Sequence, residues 1–461
     1  MALALTVVLL TGCRTYQQQG ESMAYKWESG NYAGAAAEYG SKANSESSGR
    51  DAIIWRLEHA TTLRSLGQFR ESNAAFSQAE DRINHYEATA KVKLANEAGA
   101  MMTTLANLPY EGRAYDKIML NTYKALNYLN LGEPDNARVE LIRAYQRQQD
   151  AVEENRKRIE KAQEEVRHRS TQERKAINHA ESDSAVRARL DSAYQDLDRH
   201  LAYGDYVNPF TVFMDALFFM YNNSGGSDLE RANKSLERMV AFAGNNKFLR
   251  QDAETLKTVS GSNPQPTTYV LFETGRAADR DQIRIDVPIL VARVSYVGTA
   301  FPVLKYHENR PAFLTVTAGN TRENTEPVCV MDNVIATDFK AELPTIITKT
   351  IASTVVKALM NYGVNTAAEQ GGNDMLTFGV RILTAAAQAA VNIADTRTWT
   401  TLPKEFQYCR VPTPPDRRLQ LSVPNGLQKQ DILLQDGMVN VVCVRAVGSG
   451  SPLAVSQFKL K

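Results

Sequence analysis

The chain has 461 residues, of which 43% are hydrophobic and 23% are charged, proportions that are ordinary for a soluble globular protein of two to four domains. Because 53 Lys and Arg residues balance 52 Asp and Glu residues, the chain lacks the basic excess that is typical of general nucleic-acid-binding proteins. We therefore expect no nucleic-acid partner.

The first 20 residues, MALALTVVLLTGCRTYQQQG, combine a short apolar run with one cysteine. The run is shorter than the roughly 20 residues of a membrane span, but it fits the apolar region of a signal peptide. Leu10, Thr11, Gly12 and Cys13 resemble the lipobox of bacterial lipoproteins. The resemblance implies cleavage before Cys13 and lipidation of its sulfur, although no Lys or Arg precedes the box.

The residues that follow the lipobox are almost all polar. We therefore expect residues 1–12 to be a signal peptide and residues 13–21 to be a lipidated tether. Two or three acyl chains hold a protein stably on a membrane. Arg14, in place of an Asp directly after the lipidated residue, favours the outer membrane with the protein facing the periplasm.

Residues 22–259 are predicted to form paired helices, because three segments repeat one ten-residue pattern. These segments are GNYAGAAAEY, GQFRESNAAF and GEPDNARVEL, and a helical stretch precedes each. They resemble the second helix of the tetratricopeptide repeat, where Gly opens a turn, a small residue permits close helix contact and a larger residue completes the packing. The residues expected to serve this packing are Gly30, Tyr32, Ala35, Tyr39, Gly67, Phe69, Phe76, Ala79, Gly132, Ala137 and Ala144.

The three glycines are 37 and 65 residues apart, so we expect a divergent helical array. A fourth candidate segment covers residues 228–242. In stacked helix pairs the inner helices line a concave surface that binds protein segments. The polar residues predicted to lie in this partner groove are Asn121, Lys124 and Asn127.

A segment of about 147–203, inside the helical region, is dense in charges of both signs. Val152, Ile159 and Val166 recur every seven residues, which predicts a helical hairpin with a narrow coiled-coil seam and a turn near residues 182–184. Two readings stay open. The hairpin is either a pair of solvated helices or an arm that reaches a partner or a second subunit.

Residues 260–268 contain two Pro, one Gly and several Ser and Thr residues, which predicts a linker. Residues 269–461 are then predicted to form a mixed, β-rich domain, because β-branched and aromatic residues dominate. Ile283, Ile285 and Val287 alternate with polar neighbours, as in a strand with one buried face. The sequence as a whole therefore predicts an α+β fold.

Two helices are expected to interrupt these strands. The first has apolar residues four apart and Pro344 at a natural helix start. The second covers residues 375–397 and carries Arg381 in an Ala-rich run. Because Arg is costly in lipid and Ala is barely hydrophobic, a buried core helix is favoured over a membrane span.

No catalytic or metal-binding motif is visible. The six histidines are scattered, and neither HExxH nor GxSxG occurs. Cys329, Cys409 and Cys443 lie in strand-like runs without zinc-type spacing, and form either one disulfide and one thiol or three buried thiols. We therefore expect no enzymatic activity, no metal and no cofactor.

The segment ADTRTWTTLP contains Asp395, Arg397 and Trp399 close together. Alternation predicts that Asp395 and Arg397 share one face of a starting strand and form ion pairs there, while Trp399 packs inside. A structural role is favoured over ligand contact.

Four stretches, YVLFETG, IRIDVPI, VSYVG and ADTRTWTTLPKEFQYCRV, resemble a little-characterised family of bacterial outer-membrane lipoproteins. Its members join a lipobox and tetratricopeptide-like helices to a mixed C-terminal domain, and are often encoded near lipoprotein activators of penicillin-binding proteins. The resemblance implies work in the cell envelope and brings no catalytic residues.

The expected function is an outer-membrane-anchored interaction scaffold that binds envelope proteins or peptide segments and self-assembles through its C-terminal domain. One alternative is a subunit of an outer-membrane pore or export complex, which would use the 375–397 helix for assembly. A second alternative is a peptidoglycan-related enzyme.

Overall fold

A computed structural model describes most of the chain. The described residues are 16–92, 105–200, 203–204, 206–259, 265–289, 296–370, 393–424 and 428–461. The lipobox with Cys13, most of the predicted linker and residues 375–392 of the second C-terminal helix lie outside them. Residues 393–397, which that helix was predicted to include, are not helical.

The N-terminal half is helical, and the α+β prediction is confirmed. Its described helices are α1 (Tyr16–Glu28), α2 (Tyr32–Ser45), α3 (Ala52–Ser65), α4 (Phe69–Val92), α5 (Ala114–Asn130), α6 (Pro134–Arg167), α7 (Thr171–Ser182), α8 (Ser184–Tyr194), α9 (Pro209–Tyr221), α10 (Gly226–Ala243) and α11 (Lys247–Val259). Neighbours pack as pairs, α1 with α2, α3 with α4, α5 with α6 and α9 with α10.

Glycine forms the turns inside three of these pairs. Gly30, Gly67 and Gly132 have φ values of +79°, +74° and +74°, a conformation that is strained for residues with a Cβ atom. The small residues of the repeated pattern are buried where the helices meet, and the large ones are buried except Phe69, which is half-buried. Helix pairing thus follows from small residues in the interface and glycine in the turn.

The tether is shorter than predicted, because α1 already begins at Tyr16. The Tyr16 ring lies 4.5 Å from the Trp55 ring, and its hydroxyl donates a hydrogen bond to Glu58 at 2.9 Å. Tyr16, Met23 and Trp27 fall on one helix face and are buried, although polar residues separate them. Residues 16–21 therefore belong to the helical domain.

The C-terminal half contains three sheets and one long helix among the described residues. Its elements are β1 (Thr267–Thr274), β2 (Asp279–Pro288), β3 (Tyr296–Lys305), β4 (Thr315–Ala318), β5 (Thr321–Asn324), β6 (Glu326–Val330), α12 (Met331–Gln370), β7 (Glu405–Pro412), β8 (Arg418–Ser422), β9 (Lys429–Leu433), β10 (Val439–Ala446) and β11 (Ala454–Lys459). The main sheet has the order β11-β10-β1-β7-β6, with β1 and β10 parallel. The others are β5-β4-β8-β9 and the isolated pair β2-β3.

The prediction that a helix begins at Pro344 is wrong, because α12 begins at Met331 and contains Pro344. Proline removes one helical hydrogen bond, but buried residues on both sides, such as Phe339 and Ile351, keep the helix continuous by packing. Residues 331–360 are the one described segment long and apolar enough to cross a membrane. Buried core helices pass the same test, and α12 packs against α6, α7 and β3.

The two larger of three hydrophobic cores among the described residues extend across the predicted linker. The main core joins helices of the N-terminal half to the main sheet. A smaller core lies in a second lobe, which we define as α7, α8, β2, β3 and residues 347–359 of α12. Each of these cores contains residues from both halves of the chain.

The charged insertion is built into this second lobe. Its predicted turn lies at Asp183, between α7 and α8, and a further turn with a capping box at Ser170 separates α7 from α6. Ile177 and Val186 bury their side chains in the smaller core. The insertion is therefore neither a free arm nor a fully solvated hairpin.

Candidate functional site

The predicted partner groove is wrong, because Asn121, Lys124 and Asn127 are buried. Lys124 Nζ lies 2.6 Å from Glu80 and 3.0 Å from Glu140. The Asn121 amide donates to the same two carboxylates, at 2.8 and 2.7 Å. These polar groups hold α5 between α4 and α6, since a buried charge is tolerated only when it is paired.

The C-terminal half covers the other side of the helical array. Tyr123 of α5 donates its hydroxyl to Glu273 of β1 at 2.9 Å, and Arg64 of α3 lies 2.8 Å from the same carboxylate. Tyr115 bonds to Thr398 at 3.1 Å. The surface on which a partner segment was expected is therefore occupied by the chain itself.

A linking segment, residues 393–404, joins the two halves by many hydrogen bonds. The buried carboxylate of Glu58 accepts bonds from the backbone and hydroxyl of Thr400, both at 2.7 Å, and from the Thr401 backbone at 3.0 Å. Burial raises the pKa of Glu58, while these bonds oppose the rise. The Trp399 indole is buried and donates to Thr61 at 2.9 Å. Trp399 thus has a structural role.

Asp395 and Arg397 form the expected ion pair but do not start a strand, because β7 begins only at Glu405. Arg397 holds Asp395 with two hydrogen bonds, at 2.7 and 2.9 Å, and also bonds to Asp51 at 3.1 Å. Burial raises the pKa of Asp395, but Arg397 more than offsets this and lowers it to about 2. The carboxylate is therefore ionised at neutral pH.

A larger buried charge cluster lies beside this pair. Arg113 and Arg280 bond to Glu342 at 3.1 and 2.8 Å. Asp338 lies one turn earlier on α12, and burial together with the Glu342 charge raises its pKa to about 8. Its Oδ2 atom has no hydrogen-bond partner, and Asp338 and Tyr115 are among the residues that line a cavity of about 10 Å³.

That cavity has room for about one water molecule. It is too small for an organic substrate, so the raised pKa of Asp338 alone gives no catalytic site. Sequence analysis missed this cluster, since its members come from distant segments and each resembles an ordinary surface charge.

The three cysteines in the described part of the chain are free and buried. Burial raises the pKa of Cys329 and Cys443 to about 12, so both stay protonated thiols. Within the described residues, no group of three or more His, Cys, Asp or Glu side chains is arranged to hold a metal ion.

The second lobe presents a different kind of surface. In β2, Ile285 and Val287 face the small core, whereas Arg284 and Asp286 face solvent. Among the described strands, none pairs with the outer edge of β2 or of β3. Tyr296, at the start of β3, is 64% exposed. An amphipathic strand pair whose outer edges pair with no described strand can accept a further strand from another chain.

Comparisons with known proteins were made at three levels. No protein-family model, no curated protein and no solved structure matches the chain. The resemblance to outer-membrane lipoproteins therefore stays a prediction, and function is inferred from the geometry described above.

Proposed function

We propose that the protein is an outer-membrane-anchored, periplasm-facing lipoprotein that acts as a protein–protein interaction scaffold in cell-envelope assembly or maintenance. The lipobox at Cys13 supports the anchor. The second lobe, not the helical array, is the proposed partner-binding element.

The observation that carries this proposal is the isolated β2–β3 pair. A two-stranded sheet is marginally stable alone and is stabilised by packing on helices or by added strands. Here α7, α8 and α12 cover one face of the pair. The proposed partner would add a strand to this pair, with specificity from the solvent-facing charges of Arg284 and Asp286.

The main body suits the role of a fixed support. Its helical array and main sheet share one core, and ion pairs such as Arg64–Glu273 cross between them with both side chains buried. Breaking such a buried pair costs about 3–5 kcal/mol. A partner is thus not expected to separate the two halves.

Fractionation and crosslinking test the proposal. The full chain and a Cys13→Ala variant are expressed in a Gram-negative host, with a photo-crosslinking amino acid in place of Arg284 or of the exposed Glu237 on α10 as the control. We expect the chain in the outer membrane, the Cys13→Ala variant in the soluble periplasm, and crosslinks to an envelope protein from position 284 only. Equal crosslinking from both positions would contradict a binding role for the second lobe.

A subunit of an outer-membrane pore or export complex is the second candidate. The same two strand edges, which pair with no described strand, favour it, because head-to-tail strand pairing between copies generates rings or filaments. This candidate predicts that Cys13→Ala stays with membranes and that position 284 crosslinks mainly to another copy of the chain. The same experiment therefore separates the two candidates.

A further inference from the structure

A second cavity lies between the turn joining α3 to α4 and the β11 side of the main sheet. Its volume is about 20 Å³, and it is lined on the helical side by Arg64, Ser65 and Gly67. Glu273, Arg445 and Ser456 line the opposite side. Gly67 is exposed and Ser65 half-buried, so the cavity opens at the turn.

The strand register brings the sheet residues together. Glu273 of β1 pairs with Arg445 of β10 in the parallel ladder, and Ser456 of β11 pairs with Cys443 of β10. Because alternate residues of a strand point to the same face, Cys443 and Arg445 both face the helices. Arg64, in the last turn of α3, reaches this face from above.

The cavity lining carries one excess positive charge. It contains two guanidinium groups and one carboxylate, all in buried residues. Both carboxylate oxygens of Glu273 already have partners, since one lies 2.8 Å from Arg64 and the other accepts a hydrogen bond from the Tyr123 hydroxyl. Arg445 donates instead to the backbone carbonyls of Glu273 and Ala446, at 3.1 Å each, and to that of Thr401, at 3.4 Å. An uncompensated buried charge is costly to the fold.

Three guanidinium nitrogens at this place also lack acceptors. They are Nε and Nη2 of Arg64 and Nε of Arg445. Buried donors nearly always have partners in folded proteins. Unused donors and an unbalanced positive charge at one cavity both indicate an anionic ligand.

Two features of the fold reduce the excess charge without removing it. The Arg64 guanidinium lies 4.5 Å from the centre of the Tyr123 ring, and that of Arg445 lies 5.4 Å from the Trp27 ring. The C-terminal end of α3 adds roughly half a negative charge. Neither feature supplies a hydrogen-bond acceptor to the three nitrogens.

We propose that this cavity binds a single carboxylate group of a ligand whose remainder lies outside, at the α3–α4 turn. The volume of about 20 Å³ fits one or two water-sized groups and excludes a whole organic molecule. A planar, singly charged carboxylate matches the guanidinium fork and the one excess charge. Phosphate is larger and carries more charge than the cavity can neutralise.

The test uses the purified full chain in detergent and three probes, which are sodium acetate, the peptide N-acetyl-Ala-Ala-Ala and its C-terminal amide. Melting temperature is measured against each probe, with sodium chloride at matched ionic strength as the reference. We expect a saturable rise with both carboxylates, since a ligand that binds the folded state raises its stability. If the peptide raises the melting temperature more than acetate does, the bound carboxylate is the C-terminus of a peptide chain. If acetate has the larger effect, the ligand is a small free acid.

Three variants test whether the carboxylate binds at this cavity. Arg64→Gln is expected to weaken carboxylate binding by about tenfold or more. Arg70→Gln, which changes the net charge equally at a side chain that is 72% exposed, is expected to leave it unchanged. Because Arg64→Gln leaves Glu273 without its cation, Ser456→Leu provides a second variant that fills the cavity with its charges intact, and it should also abolish binding.

Any of the following results would overturn the proposal. The first is no saturable response to acetate or peptide beyond that to chloride. The second is equal binding of the peptide amide, which has no carboxylate. The third is an equal loss of binding in the Arg70→Gln control, or unchanged binding in Ser456→Leu.

Discussion

Replacing Asp395 by Asn removes one charge from the linking segment and keeps the shape of the side chain. In the folded protein, this carboxylate accepts two hydrogen bonds from Arg397 and lies 3.9 Å from Arg113. Both arginines are buried. The substitution therefore leaves Arg397 dependent on Asp51 alone for ionic compensation.

The loss of stability can be worked out from the pKa of Asp395. Folding lowers it from the ordinary value of 3.8 to about 2, and each pKa unit corresponds to about 1.4 kcal/mol. The ionised group thus stabilises the fold by about 2 kcal/mol relative to its protonated form. Because the folded pKa is lowered, this contribution is fully present above about pH 4 and is lost as the pH falls towards 2.

Urea unfolding at pH 7, 5 and 3 measures the effect. We expect Asp395→Asn to lower the free energy of unfolding by about 2–4 kcal/mol at pH 7 and 5, and by less at pH 3. Asp198→Asn, which breaks an exposed pair with Lys340, is the control and should cost less than about 1 kcal/mol. A loss for Asp395→Asn no larger than that of the control, or one independent of pH below 4, would refute the reasoning.

Other substitutions test separate parts of the fold. Folding raises the pKa of Asp338 to about 8, so the free energy of unfolding of the wild type falls as the pH rises from about 4 to 8. In urea unfolding, the free energy of unfolding of Asp338→Asn should increase relative to that of the wild type by up to about 1.4 kcal/mol for each pH unit in this range. Equal pH slopes for the two proteins would contradict this. Trp399→Ala should cost about 3–5 kcal/mol in the same assay, and a loss below about 1 kcal/mol would show that the indole is not a core residue. The added methyl group of Gly132→Ala meets open space, so this variant should lose about 1–2 kcal/mol of stability in thermal unfolding from its positive φ alone. Gly30→Ala should lose clearly more stability, because its methyl group would overlap Pro452. Equal losses of stability would contradict the close approach of Gly30 to Pro452.

Local patterns predicted much of the fold. The repeated glycines and small residues predicted helix pairs, since a turn with positive φ and a close helix contact need those residue types. Alternation at Ile283, Ile285 and Val287 likewise predicted β2, where two of these residues are fully buried. Such patterns act over one or two turns or strands, so neighbouring residues are enough to recognise them.

The prediction of the partner groove was wrong because its residues pair with side chains that are distant in sequence. Asn121 and Lys124 are polar residues on a helix, and such residues are usually exposed. Here they are buried because Glu80, some 40 residues earlier, and Glu140, on the next helix, supply acceptors. No local pattern marks such a partner. The cluster around Asp338 and the cavity beside Arg64 could not be predicted either, because their residues also come from distant parts of the sequence.

The joined halves restrict how this protein can bind others. A helical array of this kind usually presents its concave side to a partner segment, but here Trp399, Thr400 and Glu273 pack against α3 and α5 of the array. Displacing them would expose a buried Trp, remove the bonds from Thr400 and Thr401 to the buried Glu58, and leave Arg64 without its carboxylate partner. A binding segment would have to replace all these contacts at once. Binding of a partner strand therefore belongs to surfaces outside the main core, and among the described residues the second lobe offers two strand edges beside solvent-facing charges.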